Sequence, residues 1–200
     1  MKHSEIYKAL LAYKNVESDM CSLKSQCTYF STCGVKSATK VIDFDEIKNE
    51  YCKINAIHPL WKSVDGVCAN QNDSLFLFIE KKSWSQFFDH QEHSEERILE
   101  QANDFSLDEK YEKSVKICSN IINQKNLFTE NNHAFLFFSD INPDTSPLAA
   151  LQYNLNMLAG TSTELKGIAI EASHKEVAKV KCKKRRFVFC RDFDNFISQN

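Results

Sequence analysis

The sequence contains little glycine and proline and no long apolar run. Only 4 glycines and 3 prolines occur among its 200 residues, which favours helices and strands joined by few sharp turns. No apolar run reaches the roughly eighteen residues of a membrane-spanning helix, and Met1 to Met20 lack the apolar segment of a secretory signal. We therefore expect a soluble protein that is not exported and does not bind membranes.

The sequence also has no large excess of charge of either sign. The formal net charge is -2, so a site for a polyanion must be a local patch. Eight cysteines occur, and without a secretory signal we expect reduced thiols and a cytoplasmic location. Several cysteines with apolar neighbours are expected to be small buried hydrophobes: Cys52, Cys68, Cys118, Cys182 and Cys190.

Three further cysteines, Cys21, Cys27 and Cys33, are evenly spaced. Their spacing suggests a structural zinc site, but zinc-binding pairs of cysteines usually stand closer together and no fourth ligand is evident. We assign them no role from the sequence.

The length suits a single domain over residues 1–200. Asp43 followed by Glu46 predicts a helix start with a capping box, and the helix should end before Pro59. Val64 to Cys68 and Leu75 to Glu80 are predicted to be paired strands around a polar turn. The second strand is apolar on both alternating faces, which is typical of a central strand.

Further elements follow along the chain. Residues from Lys82 to about Asn132 have a helical pattern, in which Tyr111, Val115, Cys118 and Ile122 mark one face. We predict a strand at His133 to Phe138 and a helix at Leu148 to Leu158. Short strands are expected after it, at Gly167 to Ala172, Phe187 to Cys190 and, with less support, Val177 to Lys181.

Two carboxylates and a lysine occupy the ends of the paired strands. Asp65 belongs to the first strand, and Glu80 with Lys82 closes the second. Side chains alternate along a strand, so Glu80 and Lys82 should project to the same face. Hard oxygen ligands suit Mg²⁺ or Mn²⁺, and a neighbouring ammonium group can stabilise charge on a phosphate.

This arrangement resembles the PD-(D/E)xK nuclease superfamily over roughly Asp43 to Cys190. The resemblance implies an α/β fold with a restriction-endonuclease-like core, in which helices flank a central mixed sheet. Residues 1–40 would then be an N-terminal extension, and residues 83–132 a helical insertion. It also implies a metal-dependent nuclease that hydrolyses phosphodiester bonds in nucleic acid.

The resemblance assigns roles to single residues. Asp65 and Glu80 look like the metal-binding carboxylates, and Lys82 looks like the catalytic lysine. Many members add a glutamate from the first helix, for which Glu50 or Glu46 would serve here. The expected cofactor is Mg²⁺ or Mn²⁺.

Two alternatives stay open. Glu80 and Lys82 could form a structural ion pair at the end of a strand, because a carboxylate near apolar residues needs a partner. The chain could also be a catalytically inactive nuclease-like module that binds protein or nucleic acid. In that case the segment from Met1 to Lys40 is where we expect a protein partner to bind.

A basic run follows near the C-terminus. On a strand, alternate lysines of this run would share one face and could follow a phosphate backbone. The alternative is a solvated sheet edge whose lysines prevent aggregation. The candidate nucleic-acid-binding residues are Lys179, Lys181, Lys183, Lys184, Arg185 and Arg186.

Overall fold

The structure is a computed structural model. It describes residues 1–25, 37, 39–89, 94–129, 132–141, 151, 155 and 165–199. Within them the protein has an α/β fold, in which helices flank a six-stranded mixed sheet.

The strands follow one another across the sheet in chain order. They are β1 (Glu17–Asp19), β2 (Lys40–Asp43), β3 (Gly66–Ala69), β4 (Phe76–Lys82), β5 (His133–Ser139) and β6 (Arg185–Phe189). The pairs from β1 to β4 are antiparallel, whereas β5 runs parallel to β4 and β6 runs parallel to β5. The change of direction lies between β4 and β5, where the chain passes through three helices.

The helices of the described residues are α1 (His3–Tyr13), α2 (Phe44–Ile54), α3 (Trp84–Asp89), α4 (Glu95–Asn103), α5 (Leu107–Ile121), α6 (Leu165–Lys179) and α7 (Phe193–Gln199). Short 3₁₀ segments cover Met20–Ser25 and Cys190–Asp192. No helix among the described residues is both long and apolar enough to cross a membrane.

The two central strands are buried on both faces. Phe76 and Phe78 of β4 belong to one apolar cluster, and Leu77 and Ile79 belong to the other. Each such side chain contributes roughly 1.5–3 kcal/mol when it leaves water. The prediction that Leu75 to Glu80 is a central strand is confirmed, and the strand continues to Lys82.

The first predicted helix is also confirmed. Asp43 caps α2, because its Oδ1 accepts a hydrogen bond from the backbone amide of Glu46 at 3.3 Å. The Glu46 carboxylate does not complete a capping box; its Oε2 instead lies 2.7 Å from Nζ of Lys14. Ile54, expected on the buried face, is exposed at the last turn.

Other predictions differ from the structure at their boundaries or in their type. The strand at Val64 to Cys68 is observed as β3, and the helical stretch after Lys82 contains α3, α4 and α5. Gly167 to Ala172, expected as a strand, lies inside α6, and so does most of Val177 to Lys181. Ion pairs at helical spacing support this helix, for example Lys175 with Glu171 at 2.6 Å.

The predicted helix at Leu148 to Leu158 lies outside the described residues except at positions 151 and 155, which are helical. The described part of the segment from Met1 to Lys40 is integrated into the fold. Ile6 and Leu10 of α1 are buried in the core, and β1 pairs with β2 at the sheet edge.

Candidate active site

Asp65 and Glu80 face each other across the pairing of β3 with β4. Gly66 is paired with Ile79 at the end of this antiparallel ladder, so Asp65, the residue directly before β3, lies beside the end of β4 that carries Glu80. Opposite residues of an antiparallel pair project to the same face, with Cβ atoms about 5 Å apart. The negative charge of Asp65 also acts on Glu80, where it raises the pKa. The structure therefore brings these two predicted site residues together.

Backbone contacts fix the position of Asp65, which is only 1% exposed. Its carboxylate Oδ2 accepts a hydrogen bond from the amide of Lys81 at 2.7 Å. Its backbone carbonyl accepts one from the amide of Phe44, the first residue of α2, at 3.0 Å. Asp65 is thus held by the strand opposite and by the helix before it.

Glu80 is fully buried and lies against two lysines. Its Oε1 is 2.6 Å from Nζ of Lys82 and 2.5 Å from Nζ of Lys110. Its Oε2 is buried and has no hydrogen-bond partner among the residues that the structure describes. Burial raises the pKa of Glu80, and the charge of Asp65 raises it further, while the two lysines act in the opposite direction.

The lysines are more exposed than the carboxylate they contact. The Lys82 side chain is 22% exposed and that of Lys110 is 15% exposed. The ammonium group of Lys82 also lies 5.6 Å from the centre of the Phe105 ring. As predicted, Glu80 and Lys82 lie on the same face of β4, with the ammonium groups toward solvent.

The sequence analysis missed Lys110. It lies on α5, four residues before Ser114, and Ser114 is buried on the same side of the helix. The Ser114 hydroxyl donates to the carbonyl of Lys110 at 2.8 Å. A lysine one turn before a buried stretch, on the buried face of a helix, was the signal that could have revealed a charged partner inside the fold.

The glutamates expected from the first helix have other contacts. Glu46 forms an ion pair with Lys14 that raises the lysine pKa, and the charge of Glu50 adds to the rise in the pKa of Tyr13 that burial causes. In the described part of the chain, neither forms a hydrogen bond or ion pair with Asp65 or Glu80. Their role as a further metal ligand stays a prediction.

Two carboxylates, Asp65 and Glu80, are the oxygen donors of the candidate site. Among the described residues no group of three His, Cys, Asp or Glu side chains is arranged to hold a metal. Mg²⁺, however, is commonly held by one or two carboxylates, with waters and substrate phosphate as the other ligands. The buried Oε2 of Glu80 is an oxygen without a partner and is suited to such a contact. Lys82 and Lys110 already balance the formal charge of the two carboxylates.

The lysines of the basic run do not share one face of a strand, as the sequence analysis considered. Lys179 is the last residue of α6, so Lys179, Lys181 and Lys183 do not alternate along one strand, and that premise was wrong. Lys179 pairs with Glu176 at 2.6 Å, and Lys181 pairs with Asp108 and Glu112. The remaining basic side chains are exposed before and within β6 at the sheet edge: Lys183, Lys184, Arg185 and Arg186. Their binding of nucleic acid stays a prediction.

The cysteines mostly fill apolar space, as expected. Cys52, Cys68, Cys118 and Cys182 are buried, whereas Cys190 is partly exposed, and none of them forms a disulfide in the described structure. Cys21 also has a free thiol, which accepts a hydrogen bond from the amide of Ser37 at 3.3 Å. Cys27 and Cys33 lie outside the described residues, so the zinc question is untested.

Comparison with protein-family models, curated proteins and solved structures finds no match to this chain. The fold class is therefore the α/β arrangement of a mixed sheet and flanking helices seen in the structure. Any function must be argued from the chain's own residues.

Proposed function

We propose that the chain is a metal-dependent nuclease with a restriction-endonuclease-like core. Its active site would consist of Asp65, Glu80 and Lys82, and it would hydrolyse phosphodiester bonds in nucleic acid. The main support is the buried Oε2 of Glu80, which has no hydrogen-bond partner and belongs to a carboxylate opposite Asp65. A buried polar atom left without a partner costs about 1–3 kcal/mol, and more when it is charged. A bound cation would remove that cost.

The cofactor that these oxygens suit is Mg²⁺ or Mn²⁺. When bound, such an ion supplies positive charge that polarises a phosphate and makes a coordinated water more acidic. Asp65 would offer an oxygen held in place through the Lys81 amide, and Glu80 would offer its Oε2. Glu46 or Glu50 remains the proposed further ligand.

The lysines would act on the substrate from the solvent side. Lys82 is the more exposed of the two and can turn its ammonium group from Glu80 toward a phosphate oxygen, where it would stabilise charge in the transition state. Lys110 would remain on Glu80 Oε1, where its charge favours the ionised carboxylate and opposes the burial that raises the pKa of Glu80. Lys110 is thus a positioning residue, and Lys82 is the proposed catalytic lysine.

The test is Glu80→Gln, assayed for cleavage of single-stranded and duplex DNA and RNA in Mg²⁺ or Mn²⁺. We expect the natural protein to cleave at least one of these substrates and the variant to lose at least about 100-fold in rate while keeping its circular dichroism spectrum. Glu171→Gln is the matched control, because Glu171 pairs with Lys175 on α6, outside the proposed site. Unchanged cleavage by Glu80→Gln would refute the assigned role.

A second function is favoured by the same ion pairs. Lys82 and Lys110 both contact Glu80 Oε1, so two ammonium groups already balance the two carboxylates without a metal. This observation supports an inactive nuclease-like module that binds nucleic acid or protein, with residues 1–40 as a candidate protein contact. A ligand that binds the native state raises its apparent stability, so millimolar Mn²⁺ should raise the melting temperature of a nuclease but not of such a module.

We also propose a cytoplasmic location. The support is that Cys52, Cys68, Cys118 and Cys182 are buried as small hydrophobes and form no disulfide within the described part of the chain. Reduced thiols are typical of proteins in reducing compartments.

A further inference from the structure

Trp61 holds two lysines beside one aromatic ring. The ammonium groups of Lys113 and Lys116 lie 4.7 and 4.8 Å from the centre of the indole ring. Each distance suits a cation–π contact. Within the described part of the chain, neither lysine forms an ion pair with a carboxylate.

The two ammonium groups lie within roughly 10 Å of each other, so their like charges repel. An anionic group between them would relieve this repulsion. The nearby acidic residues of α5 pair with other lysines, Glu109 with Lys62 and Glu112 with Lys181, so among the described residues they do not form ion pairs with Lys113 or Lys116.

These lysines continue a row that begins at the candidate active site. Lys110, Lys113 and Lys116 follow one another along α5 at intervals of three residues, which advance about 4.5 Å and turn the side chain by about 60° at each step. Lys110 contacts Glu80, Lys113 is half-buried and Lys116 is exposed. The row therefore leads from the site outward to Trp61.

A backbone contact fixes the segment of Trp61 against the same helix. The amide of Val64 donates to the hydroxyl of Ser114 on α5 at 3.0 Å. Since Asp65 follows directly, one short segment joins the indole ring to the proposed metal ligand.

An open cavity lined in part by Tyr51 lies near Trp61. Its volume is about 490 Å³, and amide and hydroxyl groups line much of it, including Tyr51, Asn55, Asn120 and Gln124. The rings of Tyr51 and Trp61 are 6.0 Å apart, and the amide of Asn120 donates to the Tyr51 hydroxyl at 2.7 Å. Amide side chains offer both a donor and an acceptor, which suits the edge of a nucleobase.

We propose that Trp61, Lys113 and Lys116 form a binding surface for single-stranded nucleic acid, which leads from the candidate active site to the amide-lined cavity. Phosphates would contact the lysines, the exposed part of the indole would contact a base, and the cavity would receive a neighbouring base. A single strand presents unstacked base faces, whereas a duplex does not. The inference rests on the proposed function, since it describes where that enzyme's substrate would lie.

Binding can be measured without catalysis. Fluorescence anisotropy in EDTA would use the full chain with fluorescein-labelled oligothymidylate or oligouridylate of about twenty nucleotides, which exceeds the usual site size of such surfaces. We expect Trp61→Ala to weaken binding roughly tenfold and Trp61→Phe to restore most of it, because phenylalanine keeps a stacking face. The melting temperature of each variant separates lost binding from lost folding.

The lysines are tested as a pair. Lys113→Ala with Lys116→Ala should weaken binding and lower the slope of log affinity against log salt by about 1.4, since two phosphate contacts are lost. The matched control is Lys40→Ala with Lys175→Ala, which removes the same charge from two exposed lysines that have carboxylate partners. An equal effect of the control pair would overturn the proposal.

Other outcomes are equally decisive. Equal affinity for duplex DNA or heparin, unaffected by Trp61→Ala, would show a general polyanion patch and overturn the proposal. Trp61-dependent binding of the single strand by a natural protein that never cleaves would support the surface and refute the nuclease. Cleavage that is unchanged in the Trp61 and lysine variants would support the nuclease and refute the surface.

Discussion

Nζ of Lys110 on α5 lies 2.5 Å from Oε1 of Glu80 on β4, although thirty residues separate them in the chain. This contact makes α5 part of the charged centre that the strands alone would leave incomplete. Lys82 supplies a second ammonium group to the same oxygen at 2.6 Å. The burial of a carboxylate in the sheet therefore depends on a strand and a helix together.

Removing Lys110 should destabilise the protein. Lys110→Met leaves the buried Glu80 with Lys82 as its remaining lysine partner, and breaking a buried ion pair from one side is costly, so we expect a loss of about 2 kcal/mol or more in the free energy of unfolding. Urea denaturation measures this loss. In a Glu80→Gln background the same substitution should cost less, because the charge it compensates is gone.

The control for that experiment is Lys175→Met. Lys175 is 66% exposed and pairs with Glu171, so its loss should change the free energy of unfolding by less than about 0.5 kcal/mol. If Lys110→Met costs no more than Lys175→Met, or the two substitutions at Lys110 and Glu80 are additive, the ion pair does not stabilise the fold.

Stability should depend on the ionisation of Glu80. Burial and the charge of Asp65 raise the pKa of Glu80, so the folded protein binds this proton more tightly than the unfolded chain does. The contribution of Glu80 to the free energy of unfolding is then fully present below the ordinary glutamate pKa of about 4 and is lost as the pH rises through the raised value.

Glu80→Gln does not titrate at this position and serves as the reference. Urea unfolding of both proteins across a series of pH values should show the natural protein losing stability relative to the variant as the pH rises from about 4. A difference that is constant with pH, or that changes in the opposite direction, would contradict the raised pKa.

Trp84 depends on a single buried acceptor. Its indole Nε1 donates to the hydroxyl of Ser173 at 2.9 Å, which joins α3 to α6. Ser173→Ala leaves this donor without that acceptor, and we expect a loss of about 1–3 kcal/mol in the free energy of unfolding. Ser198→Ala is the control, because its hydroxyl bond to the carbonyl of Asn195 is exposed. Equal stability of the two variants would show that the bond between α3 and α6 contributes nothing.

Much of the site followed from local pattern. β4 is apolar on both faces, and a polar turn precedes it, so a hairpin that places Asp65 near Glu80 was predictable from the sequence. The outer strands β1 and β2 were missed, because they are only three and four residues long. Strands this short give too little alternation to be recognised.

Tertiary packing decided what the local pattern could not. The stretch from Gly167 to Ala172 contains β-branched residues and was expected as a strand, yet it lies in α6, where Ala169 and Ile170 are buried. Helical ion pairs and the bond from Trp84 to Ser173 outweigh local preference there. Helical periodicity could place Lys110 on the buried face of α5, but its contact with Glu80 depends on how α5 packs against β4.

The helices between β4 and β5 supply contacts on which the sheet and the candidate site depend. A shortened chain without α5 would lose the Lys110 ammonium group, the hydroxyl of Ser114 that binds the Val64 amide, and the lysines beside Trp61. Of its two lysine partners, Glu80 would keep only Lys82. Attempts to trim this protein to its sheet should therefore yield an unfolded product.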